Sequence, residues 1–325
     1  MEREHILTSH QRDKFATPLS ISLLTIGLMS TPIIFIIFYS SLRLLRFSKK
    51  QISVDLKISF GILIIDLVIS ISLIIVGAMS NFLEVYITTS EWYCSFTLIF
   101  YNNQTYISIY WVGLLSIERG LLIIHNIKLS DKFWLTVMLG ELIYFLALSS
   151  IGISMQALGV VNNGYACMIL PNFDVGQITT FSYLVLMLIN FACMIYCYIG
   201  ISIKLRIKAY NDIQQLNLNK EQTLRQTNRT ICKVIAILVL YIGINSLELI
   251  NLLIEVKTEV TRPSLSDLIS TNLISIEPII NSLILVQFHE SVKLSLVESF
   301  PMVGKMLKVS KGSLNQNQPN NPESV

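Results

Sequence analysis

Apolar residues fall in seven long runs separated by short polar stretches. Residues 19–42, 92–117 and 175–203 carry no charge at all. Residues 58–83, 133–161, 234–254 and 268–288 carry one charge each: Asp66, Glu141, Glu248 and Glu277. A helix needs ~20 mostly apolar residues to cross the hydrocarbon layer. Inside lipid every backbone polar group needs an internal partner, so only helices and closed barrels span. The runs are continuous, without the period-two alternation of a barrel. They predict an all-α bundle of seven transmembrane helices.

Composition agrees. Of 325 residues 53% are hydrophobic and 14% charged, against about 25% charged in soluble domains. Mean hydropathy is +0.62. Charge then orients the bundle. With the N-terminus outside, 19 of the 24 Lys and Arg residues fall on the cytoplasmic side, and Arg3, Arg12, Lys14, Lys257 and Arg262 fall outside. That asymmetry is the positive-inside pattern, and it gives the inner face an attraction for anionic lipid. The expected organisation is an extracellular N-terminus over 1–17 and a seven-transmembrane bundle over 18–290. A membrane-surface helix follows over 291–308, with Val292, Leu294, Leu296, Val297 and Phe300 as its apolar positions, and then a disordered tail over 309–325. The long polar loop between runs 5 and 6 predicts helices that continue beyond the bilayer. A multi-pass membrane protein follows, with its first helix serving as its own insertion signal.

Chemistry is sparse. The four histidines, His5, His10, His125 and His289, lie outside the runs, which argues against a metal-centred membrane hydrolase. No catalytic set, phosphate loop or nucleic-acid motif is present, so no enzyme is expected. Asn103 and Asn228 head Asn-x-Thr triplets, but one lies within the third run and one in an inner loop, so neither is a glycan site. Of five cysteines, Cys193, Cys197 and Cys232 belong to helices. Cys94 and Cys167 lie at the outer surface, in the oxidising compartment. They predict a disulfide pinning the loop between helices 4 and 5; two unpaired thiols is the alternative.

Between positions 92 and 127 the only charges are Glu118 and Arg119. At ~1.5 Å per residue, the 25 positions from Cys94 carry Arg119 to the cytoplasmic mouth. A cysteine at the outer end of helix 3 and an acid–Arg pair at its inner end resembles the rhodopsin-like G-protein-coupled receptors. Here the Asp/Glu-Arg-Tyr triplet reads Glu118-Arg119-Gly120. Asp66 in "FGILIIDLVIS" is similar to the family's buried helix 2 acid. Tyr198 in "CYIGISIKLR" is similar to its helix 5 tyrosine. "INSLILVQFHESVK" is similar to helix 7 entering helix 8, with Asn281 as the Asn of Asn-Pro-x-x-Tyr and Lys293 as the basic start of helix 8. The chain departs from the family at Ser30-Thr31, Asn190, "YIGINSLEL", Ser282, Leu285 and Gly120, as a divergent member does.

The resemblance implies a cell-surface receptor that passes an extracellular ligand signal to a heterotrimeric G protein. It implies a coupling site at Glu118, Arg119 and Tyr198, with Glu118 restraining Arg119. No acid stands in "RQTNRTICK" at the inner start of helix 6, so Glu118 is the one expected anionic partner. It implies a core polar site at Asp66, Glu277 and Asn281, with Ser275 nearby, able to hold a sodium ion or a proton. Glu277 could also share a proton with Asp66. A ligand pocket is expected among Tyr101, Asn102, Thr105, Tyr106, Ser182, Asn245, Glu248 and Thr271. Tyr101 stands where amine receptors have Asp, and helix 7 lacks the opsin Lys. The competing reading is a seven-helix transporter or channel for a small solute, with Asp66, Glu141, Glu248 and Glu277 along its path.

Overall fold

The computed structural model describes residues 14–47, 53–82, 90–161, 163–216 and 218–300. Helices α1 (Ala16–Phe47), α2 (Val54–Phe82), α3 (Glu91–Ile123), α4 (Asp131–Ser154), α5 (Asp174–Leu216), α6 (Lys220–Thr258) and α7 (Ser264–Phe288) correspond to the seven apolar runs. Each of the seven is long and apolar enough to span a membrane. A short α8 (Glu290–Ser299) follows; from position 301 the expected surface helix and tail lie outside the described residues. Helix starts carry caps the sequence supplies: Ser90, Ser130 and Asn219 accept hydrogen bonds from the N–H of Tyr93, Phe133 and Gln222.

Helix α3 is the axis. Two thirds of its apolar window is buried (67%), against 22% for α4. It packs closely on α2 and α5, while α1 lies on α2 and α8 lies back on α1. Leu135, Ile143, Phe181, Ile189, Val239 and Leu283 point outward, as the lipid-facing side of a membrane bundle requires. α5 has 43 residues and α6 has 39. At ~1.5 Å per residue both exceed a ~30 Å hydrocarbon core, as the polar loop between them predicts.

Close approach of α3 to α5 rests on two glycines seven residues apart. A Cβ at Gly120 would meet Cys197 Sγ at 2.6 Å, and one at Gly113 would collide with the Asn190 side chain. Residues seven apart share a helix face, and small residues let membrane helices approach. This explains two departures from the family pattern. Gly120 occupies a place with no room for tyrosine. Asn190, where the family has proline, lies over Gly113 and donates to the Ile109 carbonyl at 3.1 Å. Tyr241 of α6 donates to the same carbonyl at 3.0 Å, so one oxygen ties α3, α5 and α6.

α7 is broken where Ser264–Ser275 gives way to Glu277–Phe288. Pro278 stands at the first turn of the second segment, where it has no N–H to continue the first. The missing proline at Ser282 is thus offset by one four residues earlier.

The end of the bundle expected to face outward is covered by a hairpin, β1 (Leu158–Val160) and β2 (Cys167–Ile169), paired antiparallel with Val160 opposite Cys167. Gly164 in its turn has φ +69°, a conformation that glycine adopts without strain. The hairpin is tied to α3 by the Cys94–Cys167 disulfide, Cα–Cα 4.8 Å. Tyr93 Oη donates to the Tyr165 carbonyl at 2.5 Å, and Asn102 Nδ2 to the Cys167 carbonyl at 2.7 Å. A π-helical turn over Thr97–Asn102 adds one residue to the α3 register there. Such turns commonly re-aim side chains.

Candidate functional site

Three polar regions lie along α3. The outermost is a cavity of about 70 Å³ beneath the hairpin, bounded by α3, α5, α6, α7 and the hairpin itself. Tyr101, Asn102, Thr105, Tyr106, Glu248 and Thr271 all line it. Ser182 and Asn245 do not. Ser182 turns back to the Ile178 carbonyl, and fully buried Asn245 donates to the Tyr241 carbonyl.

The sequence reading missed the residue that organises this region. Arg262, in the loop from α6 to α7, reaches inward with its side chain only 10% exposed. Its Nη1 donates to Glu248 Oε2 at 2.5 Å, and its Nε to Glu255 Oε1 at 2.9 Å. Asp267 Oδ1 lies 3.9 Å from Nε. Local sequence explains the placement. Glu248 and Glu255 are seven apart and share one face of α6. Glu259 ends α6 in the left-handed conformation. Pro263 caps α7 and confines the residue before it to extended backbone. The short reversal throws Arg262 over both carboxylates. Burial opposes the Arg262 charge, but Glu248 and Glu255 outweigh it and hold the guanidinium charged well above its ordinary range. Tyr106 Oη donates to Glu248 Oε1 at 2.7 Å and Ser270 Oγ to Oε2 at 2.8 Å. Tyr106 also stacks on Tyr183.

In the middle of the bundle Asp66 Oδ1 accepts from Ser108 at 2.7 Å and from Asn281 at 3.4 Å. Asp66 Oδ2, Asn281 Oδ1 and both Glu277 oxygens are buried without a hydrogen-bond donor. Tyr241, Asn245 and Asn281 surround Glu277 electrostatically, but none completes a bond of good geometry. No hydrogen bond joins the two carboxyls. This set is all oxygen, the donor type a hard cation takes.

The inner cavity is larger, about 570 Å³, and is lined by Asp55, Glu118, Arg119, Tyr198, Thr230, Val234 and Phe288 among others. Here the geometry corrects an expectation. Arg119 does not pair with Glu118; its anionic partner is Asp55 of α2, at 3.7 Å. Adjacent residues on a helix point about 100° apart, so Glu118 turns away, and its Oε2 is buried without a donor. Arg119 also approaches His289 Nε2 at 3.5 Å and lies over the Phe288 ring at 4.9 Å. The signal for Asp55 was available as an acid in the first turn of α2; nothing in the linear sequence sets it opposite position 119. Glu141, on peripheral α4, joins none of the three regions.

Residues 58–284 match the family model described as 7 transmembrane receptor (rhodopsin family). No curated protein gives a significant match to the chain.

Proposed function

Because the chain belongs to the rhodopsin family of seven-transmembrane receptors, we propose that it is a plasma-membrane receptor relaying an extracellular ligand to a heterotrimeric G protein. Its N-terminus lies outside and its C-terminus in the cytoplasm. The observation that supports this is one pair of helices serving two cavities. α3 brings Tyr101 and Tyr106 to the outer cavity and Arg119 to the inner one; α6 brings Glu248 to the first and Val234 to the second. Tyr101 and Arg119 are 18 residues apart, ~27 Å along the axis.

A ligand seated against Glu248 bears directly on α6. If it binds one arrangement of α6 more tightly, it shifts the population toward that arrangement. Movement of the inner end of α6 widens the inner cavity and takes Val234 and Thr230 away from Arg119. Arg119 offers five fixed donors to the carbonyls of an entering G-protein segment. Tyr198, buried beside the cavity, supports it in the open state. The basic inner loops hold anionic lipid and assist docking. The core set of Asp66, Asn281 and Glu277 would hold sodium or a proton in the resting state and stiffen it. A thermal midpoint indifferent to sodium in both wild type and Asp66→Asn sinks that part.

The decisive measurement is guanine-nucleotide exchange on purified G proteins with the receptor in nanodiscs. Exchange is expected to rise with ligand, to persist at a low ligand-free level, and to vanish in Arg119→Ala at equal receptor concentration. Coupling of Arg119→Ala equal to wild type defeats the mechanism. Solute flux in liposomes without any exchange favours the transporter reading.

A further inference from the structure

Charge at the outer cavity does not balance. Glu248, Glu255 and Asp267 are at most 3% exposed. Among the described residues the one cation within ion-pair distance of them is Arg262. Three carboxyls therefore face one guanidinium, in surroundings where uncompensated charge is costly. A second observation points the same way. Asn163, on the hairpin loop between cavity-lining Val161 and Tyr165, is 1% exposed. Its Nδ2 donates to the Ser264 carbonyl at 2.9 Å and to Asp267 Oδ2 at 2.7 Å. Those two acceptors fix the amide orientation, which leaves Oδ1 buried with no donor. The region is thus short of both positive charge and donors. Tyr101 and Tyr106 line the same space.

Arg262 already shows how a cation is held there. Its fork spans Glu248 and Glu255, occupying Oε2 of one and both oxygens of the other. It comes from a connecting loop, whereas its partners stand on α6 and α7. A loop side chain can leave while those carboxylates stay in place. Arg262 itself lines the remaining cavity of about 70 Å³, so a head group entering there meets the guanidinium directly.

We propose that the outer cavity receives a cationic ligand head, a guanidinium above all, and that Arg262 is a tethered occupant of that place which the ligand displaces. The proposal rests on the reading of this cavity as the ligand site and assigns it a ligand class. Displacement frees the loop between α6 and α7 and transfers the grip on α6 from the protein's own arginine to the ligand.

The test uses full-length receptor in nanodiscs and reads ligand-induced shifts in thermal midpoint, so no G protein is involved. The probe is arginine amide; its control is citrulline amide, of nearly the same shape but uncharged at the head. In Arg262→Ala the place is vacant, and arginine amide should stabilise at a concentration at least tenfold lower than in wild type, with citrulline amide inert. Glu248→Gln in the Arg262→Ala background should abolish the shift. Arg262→Lys keeps the charge without the fork and should fall between wild type and Arg262→Ala; it also serves if the alanine variant does not fold. Equal response to the two amides, or a wild type and Arg262→Lys with the same midpoint response, overturns the proposal. Binding as expected without any nucleotide exchange leaves the cation site standing and defeats the signalling mechanism alone.

Discussion

The two ends of the bundle hold an arginine in opposite ways. At the outer end Arg262 is 10% exposed and makes short bonds, 2.5 and 2.9 Å, to carboxylates that are 4% and 0% exposed. At the inner end Arg119 is 13% exposed, its nearest carboxylate oxygen is at 3.7 Å, and that Asp55 side chain is 28% exposed. The outer cavity is tight and lies under a disulfide-pinned hairpin; the inner one is about eight times larger. Desolvation makes the outer contact costly to break and leaves the inner one cheap. On the proposed function, the protein is locked at the end that receives the ligand and loosely latched at the end that meets the G protein.

The sharpest way to break that contrast is at Arg262. Arg262→Gln leaves the buried carboxyls of Glu248 and Glu255 without their cation and is expected to cost about 3 kcal/mol, read as a fall in thermal midpoint. A loss below about 1 kcal/mol would place the outer network on the same footing as the inner one.

At the inner end Asp55→Asn removes the anion nearest Arg119. A partly exposed pair is worth ~0–1 kcal/mol, so stability should change little. Ligand-free nucleotide exchange should rise up to about fivefold, since ~1.4 kcal/mol is a tenfold shift in population. Glu118→Gln should do less, because Glu118 does not hold Arg119. A larger rise from Glu118→Gln than from Asp55→Asn reverses the assignment.

The smallest effect concerns His289, set 3.8 Å from Asp55 and 3.5 Å from Arg119. Burial lowers its pKa; Asp55 works against this and Arg119 adds to it. A histidine held neutral in the folded state contributes stability in full above its unfolded pKa of about 6.5. That contribution is lost as pH falls from there through the lowered folded value, because the unfolded chain takes up a proton the folded one refuses. Wild type should lose stability relative to His289→Gln as pH falls below about 6.5. Parallel pH curves for the two would show that His289 is not held neutral.

Several cavity-lining residues were legible because their signal is periodic or positional. Tyr101, Asn102, Thr105 and Tyr106 follow from helical spacing below Cys94, and an acid in an apolar run marks Glu248. Arg262 was legible only as one of five outer basic residues. Its role needs the reversal at Glu259 and Pro263 to be known, although Glu248 and Glu255 at heptad spacing were a hint. Ser182 and Asn245 have plausible chemistry on the right helices, but a one-residue rotation of ~100° decides whether a side chain faces the cavity or its own backbone.

Composition and run length by themselves determined the seven-helix bundle, because lipid permits so few ways of satisfying a backbone. Lys and Arg placement suggested its orientation, and compartment suggested the Cys94–Cys167 bridge. Partners across helices were decided only by tertiary structure. Asp55 rather than Glu118 faces Arg119, Asn190 and Tyr241 meet on the Ile109 carbonyl, and Arg262 gathers three acids. Each depends on helix rotation and approach, which are set by side-chain packing along whole interfaces, such as the Gly113 and Gly120 face against α5. A linear pattern fixes which residues are buried; only the packed bundle fixes what each buried charge meets.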